Sequence, residues 1–243
     1  MAAVQQPFSV VSPSDFANAR ASLLAEEKAL TRAHDALAAK RRTMPRVLVT
    51  NPSQFKFTTS DNQTITLTDL FAKRKQLLMY QFMLPSPFES DKTRGCQGCS
   101  FFCDHIPHSS ALNHLNARNT TFVAVAPADI KVVNDWKERM GWDFPFYSFP
   151  DLLKEGKDEN GEEVSWKAKD GLFGLVAFVM EDDGKVYHTY YTSMRGVENM
   201  LSTLKLLDLT ALGRQDDNKE VTGKLKDEYG EKVKGEGCGC GKA

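Results

Sequence analysis

No apolar run in this chain approaches the roughly 20 residues that a membrane-crossing helix needs, so no membrane partner is expected. Neither sign of charge dominates. Lys and Arg number 31 against 32 Asp and Glu, a net charge of -1. That balance gives no electrostatic case for nucleic acid or an anionic lipid surface. The first residues, Met1-Ala2-Ala3-Val4-Gln5-Gln6-Pro7, lack the basic start and apolar core of an export signal, and the expected compartment is the cytoplasm. There is no phosphate loop, no nucleotide-binding glycine pattern and no serine-triad signature, and no cofactor is expected. Cysteine is scarce. The chain has five in 243 residues, an odd number that does not suit a simple set of structural disulfides. In a reducing compartment, paired cysteines tend to be catalytic or metal-binding.

What is present is the composition of an ordinary soluble globular protein, 41% hydrophobic and 26% charged. Its length suffices for one αβ domain with extensions, or at most two small domains. Ser12-Pro13-Ser14-Asp15 reads as a helix start, with Ser12 capping and Pro13 in the first turn; the helix runs to about Thr43 and stops before Pro45. Phe16, Leu23, Leu30, Leu37 and Met44 recur every seven residues along it. That stripe has two readings: a coiled-coil seam making a homodimer, or a face lying on the helix's own domain.

Val47-Leu48-Val49, Phe55 to Phe57 and Thr64 to Leu67 read as short strands, and Leu77 to Met83 as the first central strand. A helix then begins near Cys96 and continues towards Leu115. The run Thr121 to Ala126 suits a buried parallel strand. Pro127 to Met140 reads as helix, ended by Gly141. Asp151 to Asp170 is charged and weakly patterned, a loop or surface insertion. Leu175 to Met180, Asp182-Asp183-Gly184, and Val186 to Thr192 form a β-hairpin, followed by a closing helix from Gly196 to Leu207. Parallel crossovers followed by an antiparallel hairpin give a mixed sheet flanked by helices, the thioredoxin-like (peroxiredoxin-like) α/β class. The expected divisions are a helical extension over residues 1–45, the thioredoxin-like domain over 46–213, and a charged, Gly/Cys-containing, flexible tail over 214–243.

That layout calls for a reactive cysteine after the first central strand, where Cys96-Gln97-Gly98-Cys99 falls. A helix N-terminus offers unpaired N–H groups and partial positive charge, which stabilise a thiolate. Arg94 adds positive charge beside it. A thiolate is the nucleophilic form, so Cys96 is the candidate attacking residue and Cys99, about one turn on, the candidate resolving residue. Two core thiols, or half of a zinc site, are the alternatives. Cys96, Cys99 and Cys103 share one helix face by spacing, and with His105, or with His108, they form an alternative set for a soft metal or metalloid. Cys103 also reads as a core thiol. Cys238 and Cys240, set among glycines, suit a shuttle dithiol or a soft-metal grip.

The chain also resembles a known family, the thioredoxin-like domain of unknown function 899. The resemblance rests on Glu27 to Ala39, Gly95-Cys96 with Cys99-Ser100-Phe101, Arg139-Met140-Gly141-Trp142 with Phe144-Pro145, His188-Thr189-Tyr190, Arg195-Gly196, and Leu207 to Thr210 with Leu212-Gly213-Arg214. It implies a thioredoxin- or peroxiredoxin-like fold and thiol redox chemistry, without a substrate. Gln97 follows the first cysteine where the family more often has proline, and Cys103 stands at a usually non-thiol position. Thr93 sits three residues before Cys96, as the threonine of the peroxiredoxin motif does, while Glu89 occupies the place of that motif's proline. The expected function is thus thiol–disulfide exchange through Cys96 and Cys99 on a protein or small-molecule disulfide. A thiol peroxidase and a soft-metal binding protein are the alternatives.

Overall fold

The structure is a computed structural model that describes residues 9–106, 109–152, 161, 164–167, 173–218 and 223–229. It divides after Pro45 into two units. The first is α1 (Pro13–Arg42), 30 residues long. Ser12 caps it as its composition predicts, with the hydroxyl accepting from the Asp15 N–H at 3.1 Å. Lys40, Arg41 and Arg42 occupy the last turn, where the helix dipole favours cations. No residue of α1 is buried, and Phe16, Leu23, Leu30, Leu37 and Met44 are all exposed.

The second unit is a mixed sheet among whose described residues eight strands run in the order β1-β8-β7-β4-β5-β6-β2-β3. They are β1 (Val47–Leu48), β2 (Lys56–Thr58), β3 (Thr64–Thr66), β4 (Gln76–Gln81), β5 (Thr120–Ala126), β6 (Phe146–Ser148), β7 (Gly174–Met180) and β8 (Val186–Thr192). β4, β5 and β6 are parallel, whereas β7 lies antiparallel to β4 and makes a hairpin with β8. The helices α2 (Gln97–Asp104) and α3 (Ser109–Asn116) lie between β4 and β5 in the chain, and α4 (Ile130–Met140) lies between β5 and β6. A 3-10 segment (Met194–Met200) and α5 (Ser202–Leu207) follow the hairpin. This βαβ unit, closed by an antiparallel hairpin and a helix, is a thioredoxin-like fold.

Because side chains alternate across a strand, each central strand feeds two cores. Tyr80 on β4 and Phe122 and Ala124 on β5 join the cluster holding Cys96, Cys99, Phe102, Trp136 and Trp142. Leu77, Met79, Val123 and Val125 face the other way, into a cluster with Phe57, Phe71, Phe149 and Phe178. A sheet covered on both faces reads as continuous apolar runs, which is why these strands were legible.

Three expectations are corrected. The helix begun near Cys96 ends at Asp104 with His105 as its C-cap, and α3 starts afresh at Ser109. Pro107 disfavours helical backbone in the residue before it, which accounts for the break. The closing helix is a 3-10 segment followed by six residues of α-helix. The charged stretch after Asp151 contains a core anchor: Trp166 is fully buried, and its carbonyl accepts from the Gln81 side chain at 2.7 Å.

Candidate active site

The segment joining β4 to α2 sets the position of Cys96. Its N–H donates to the Met83 carbonyl at 3.0 Å, and the Ser86 N–H donates to the Arg94 carbonyl at 2.8 Å. Gly95 is required by close packing. A Cβ there would stand 2.6 Å from Trp136 Cε2 and 2.9 Å from Phe82 Cε1. Cys96 itself is the N-cap of α2, in extended backbone, with its carbonyl accepting from the Ser100 N–H at 2.9 Å.

An N-cap normally supplies an oxygen to the first N–H groups of the helix. Here the cap residue carries a sulfur that makes no capping hydrogen bond, so those N–H groups act on it as nearby partial positive charge. The Cys96 thiol is pulled down from an ordinary 9.0 to about 6, chiefly by a hydrogen bond from the Cys99 thiol and also by the N–H groups of Cys99 and Gly98, against an opposing push from burial and from Glu89. Cys99 is pushed the other way, first by burial and then by Cys96. The two thiols are therefore split, one ionised near neutral pH and one held protonated, which is the division of labour an attacking and a resolving thiol need. Cys96 is 9% exposed and Cys99 1%. Both are unpaired thiols, as is Cys103.

Tyr80 is a site residue that sequence reasoning missed. It stacks on Phe102 with ring centroids 4.1 Å apart, its buried hydroxyl makes no hydrogen bond of ordinary geometry, and it acts on the Cys99 thiol. Only its place in β4, on the face towards α2, signalled this.

The other candidates are placed differently. Arg94 turns to carboxylates, with Nη2 2.6 Å from Glu228 and Nε 3.4 Å from Glu89. Thr93 bonds back to Asp91 through its N–H at 2.8 Å and its hydroxyl at 2.7 Å. His105 lies at the far end of α2 with Nδ1 2.5 Å from the Phe101 carbonyl. Cys103 is fully buried and its thiol is raised by that burial. Among the described residues no three of His, Cys, Asp and Glu assemble as a ligand set, so the alternative of Cys96, Cys99, Cys103 and His105 holding a metal has no built site. Cys238, Cys240 and His108 lie outside the described residues.

Part of the stretch assigned to the tail, residues 223–229, lies against this site. Leu225 is 1% exposed, in the same core as the three cysteines. Lys226 Nζ reaches Asp104 at the end of α2, 2.8 Å away, where the Trp142 indole N–H also donates. Asp227 pairs with Arg139 of α4 at 2.9 Å, and Glu228 with Arg94. A turn here is closed by the Glu228 N–H on the Leu225 carbonyl at 2.9 Å. Gln97, Gly98 and Phe101 of α2, with Leu204 and Leu207 of α5 and this segment, enclose a pocket of about 330 Å³.

Fold and site together define a thioredoxin-like domain with a differentiated Cys-x-x-Cys pair. The chain belongs to the family described as "Bacterial protein of unknown function (DUF899)", whose model matches residues 5–229. No curated protein matches it. Among solved structures, it is similar to the bacterioferritin comigratory protein of Xanthomonas campestris, at 16% identity and TM-score 0.38, covering 67% of this chain and 98% of that one. A secreted Mycobacterium tuberculosis disulfide oxidoreductase gives 14% identity and TM-score 0.34, covering 65% and 100%. The M. tuberculosis peroxidoxin BcpB gives 13% identity and TM-score 0.36, covering 63% and 92%.

Proposed function

We propose that this protein is a thiol–disulfide oxidoreductase acting in a reducing compartment. One observation carries the reading: Cys96 stands at the N-terminus of α2 with the buried Cys99 three residues on, a placement that pulls the first thiol down and pushes the second up. The Cys96 thiolate attacks one sulfur of a disulfide, forming a mixed disulfide and expelling the other half as a thiolate that takes up a proton. With Cys96 no longer charged, its contribution to the raised Cys99 thiol disappears. Cys99 then loses its proton more readily and attacks the Cys96 sulfur, which forms the Cys96–Cys99 disulfide and releases the second thiol. Two electrons pass from the protein dithiol to the substrate disulfide.

A sulfenic acid on Cys96, condensed by Cys99 with loss of water, would make the same pair a peroxidase. Arg94, the cation close to the cysteine pair in sequence, is already paired with Glu228 and Glu89 and is not free to meet a peroxide oxygen, which favours exchange. Cys238 and Cys240 complete the proposal as a reductant of the Cys96–Cys99 disulfide. Cys238 follows Tyr229 by nine residues in the sequence, and Tyr229 lines the same pocket as Gln97 and Gly98. In Cys99→Ser, mass spectrometry should find substrate trapped on Cys96. Adducts spread equally over Cys96 and Cys103 would refute the assignment.

A further inference from the structure

The pocket beside α2 is mostly apolar, walled by Phe101, Leu204 and Leu207, and at about 330 Å³ it stands at the small end of ligand sites. The nucleophile does not line it but lies behind one of its walls. Gly98 forms part of its wall, and a Cβ on Gly98 would stand 3.9 Å from Cys96 Sγ. Three charged residues line it. Arg214 is held by Asp208 at 2.6 Å and by Glu198 at 3.4 Å. Lys224 and Asp216, by contrast, have no ion-pair or hydrogen-bond partner among the described residues. An apolar cleft with one unpaired cation and one unpaired anion, opening beside a thiolate, is complementary to a molecule with an apolar stem and both charges.

We propose that this pocket selects a small disulfide carrying a carboxylate and an ammonium group, of the amino-acid or short-peptide class. Lys224 receives the carboxylate, Asp216 the ammonium, and the Phe101, Leu204 and Leu207 side chains the carbon stem. The sulfur is thereby presented past Gly98 to Cys96. This proposal rests on the exchange reading. The step is the one already balanced: Cys96–S⁻ and R–S–S–R give Cys96–S–S–R and RS⁻, and Cys99 then yields the protein disulfide and a second RS⁻, with its proton passing to solvent.

The test uses the full reduced chain and four disulfides: glutathione disulfide with both charges, dithiodiglycolate with carboxylates only, cystamine with ammonium groups only, and bis(2-hydroxyethyl) disulfide with neither. Single-turnover oxidation of the Cys96–Cys99 pair is timed at moderate salt. Each rate is divided by that disulfide's rate with a free model thiol, which removes differences in leaving group. Glutathione disulfide should exceed the uncharged probe by about tenfold or more, the fold-change expected of charge-assisted contacts. Lys224→Met should lower the two carboxylate-bearing probes and spare the other two. Asp216→Asn should lower the two ammonium-bearing probes and spare the rest.

Equal normalised rates for all four probes, or variants that lower every probe alike, would overturn the pocket assignment while leaving thiol exchange intact. A preference that appears only after residues 230–243 are removed would also overturn it, by making the chain's own C-terminal segment the occupant. Failure of every disulfide to oxidise the pair would instead sink the exchange reading. A redox-independent arm separates the two: Cys96→Ser should bind S-methylglutathione in calorimetry, and the added Lys224→Met substitution should abolish that heat. No heat in Cys96→Ser refutes the pocket proposal.

Discussion

Two helices of this chain are held in opposite ways. α1 has 30 residues, a serine cap, an acidic first turn, a basic last turn and no buried residue. α2 has eight residues, of which Cys99, Ser100, Phe102 and Cys103 are buried, and its cap position carries no side-chain oxygen. Local rules account for α1, since each terminal group is met by a residue within a few positions of it. α2 is too short to stand by such rules and is held by packing on β4, through Tyr80 and Phe102, and by Leu225. Its first N–H groups are therefore not needed for its own stability. They are left to lend their partial positive charge to the Cys96 sulfur.

The largest effect should come from making α2 more like α1. Cys96→Ser puts a good capping oxygen where the sulfur was, and should abolish exchange while leaving the urea midpoint at pH 6, where the thiolate adds little, equal to or above that of the parent. A large loss of stability would mean that the cap matters for the fold. Cys99→Ser should let the first attack occur and stop the second, accumulating the mixed disulfide.

The pH dependence sharpens the contrast further. Alkylation of Cys96 should be half-maximal near pH 6, and Cys99→Ala should move that midpoint upward, because the Cys99 thiol is the largest of the lowering influences. Linkage gives the sign for stability. Between about pH 6 and 9 the unfolded Cys96 thiol keeps a proton that the folded one has shed, so the reduced fold gains stability as pH rises through that window and loses it as pH falls through about 6. Cys99, raised above 9.0, works in reverse: above pH 9 the unfolded thiol sheds a proton that the folded one keeps, and stability declines. Urea midpoints at pH 6, 7.5 and 9, compared with those of Cys96→Ser, should show the rise only in the parent. A flat profile would contradict the depressed thiol.

Packing substitutions come next. Leu225→Ala should cost about 2–4 kcal/mol, the usual toll for truncating a fully buried leucine. Gly95→Ala forces Trp136 or Phe82 to move and should cost about 1–3 kcal/mol. Denaturant midpoints measure both. A neutral Leu225→Ala would show that residues 223–229 do not hold α2.

These regions were unequally legible in the sequence. Ser12-Pro13-Ser14-Asp15 carries its whole explanation in four letters, and the hairpin and the strand before Cys96 show in periodicity and turn residues. The contribution of residues 223–229 does not show. Leu225 is one apolar residue in a charged run, and its burial depends on Asp104, Arg139 and Arg94, which lie far from it in the chain. The same distance explains Arg94: it lies two residues from Cys96 in the sequence, but its closest partner is Glu228. Tyr80 shows in the sequence only as one residue of the strand Leu77 to Met83, because nothing local marks a hydroxyl buried in the core that holds the cysteines.

The smallest effect belongs to α1. Ser12→Ala removes the acceptor of the Asp15 N–H at 3.1 Å, and typical caps of this kind contribute about 1 kcal/mol. The loss should be confined to the first turn, since no α1 residue is buried whose tertiary contacts would mask or spread it. Amide exchange at residues 14–17 should quicken several-fold, with the amides of the last turns unchanged, and Ser12→Asp should restore protection because a carboxylate also accepts there and suits the helix dipole. Unchanged exchange in Ser12→Ala would mean that something other than its own cap secures this end of α1. The contrast with α2 would then be one of degree, because both helices would depend on contacts from outside their own sequence.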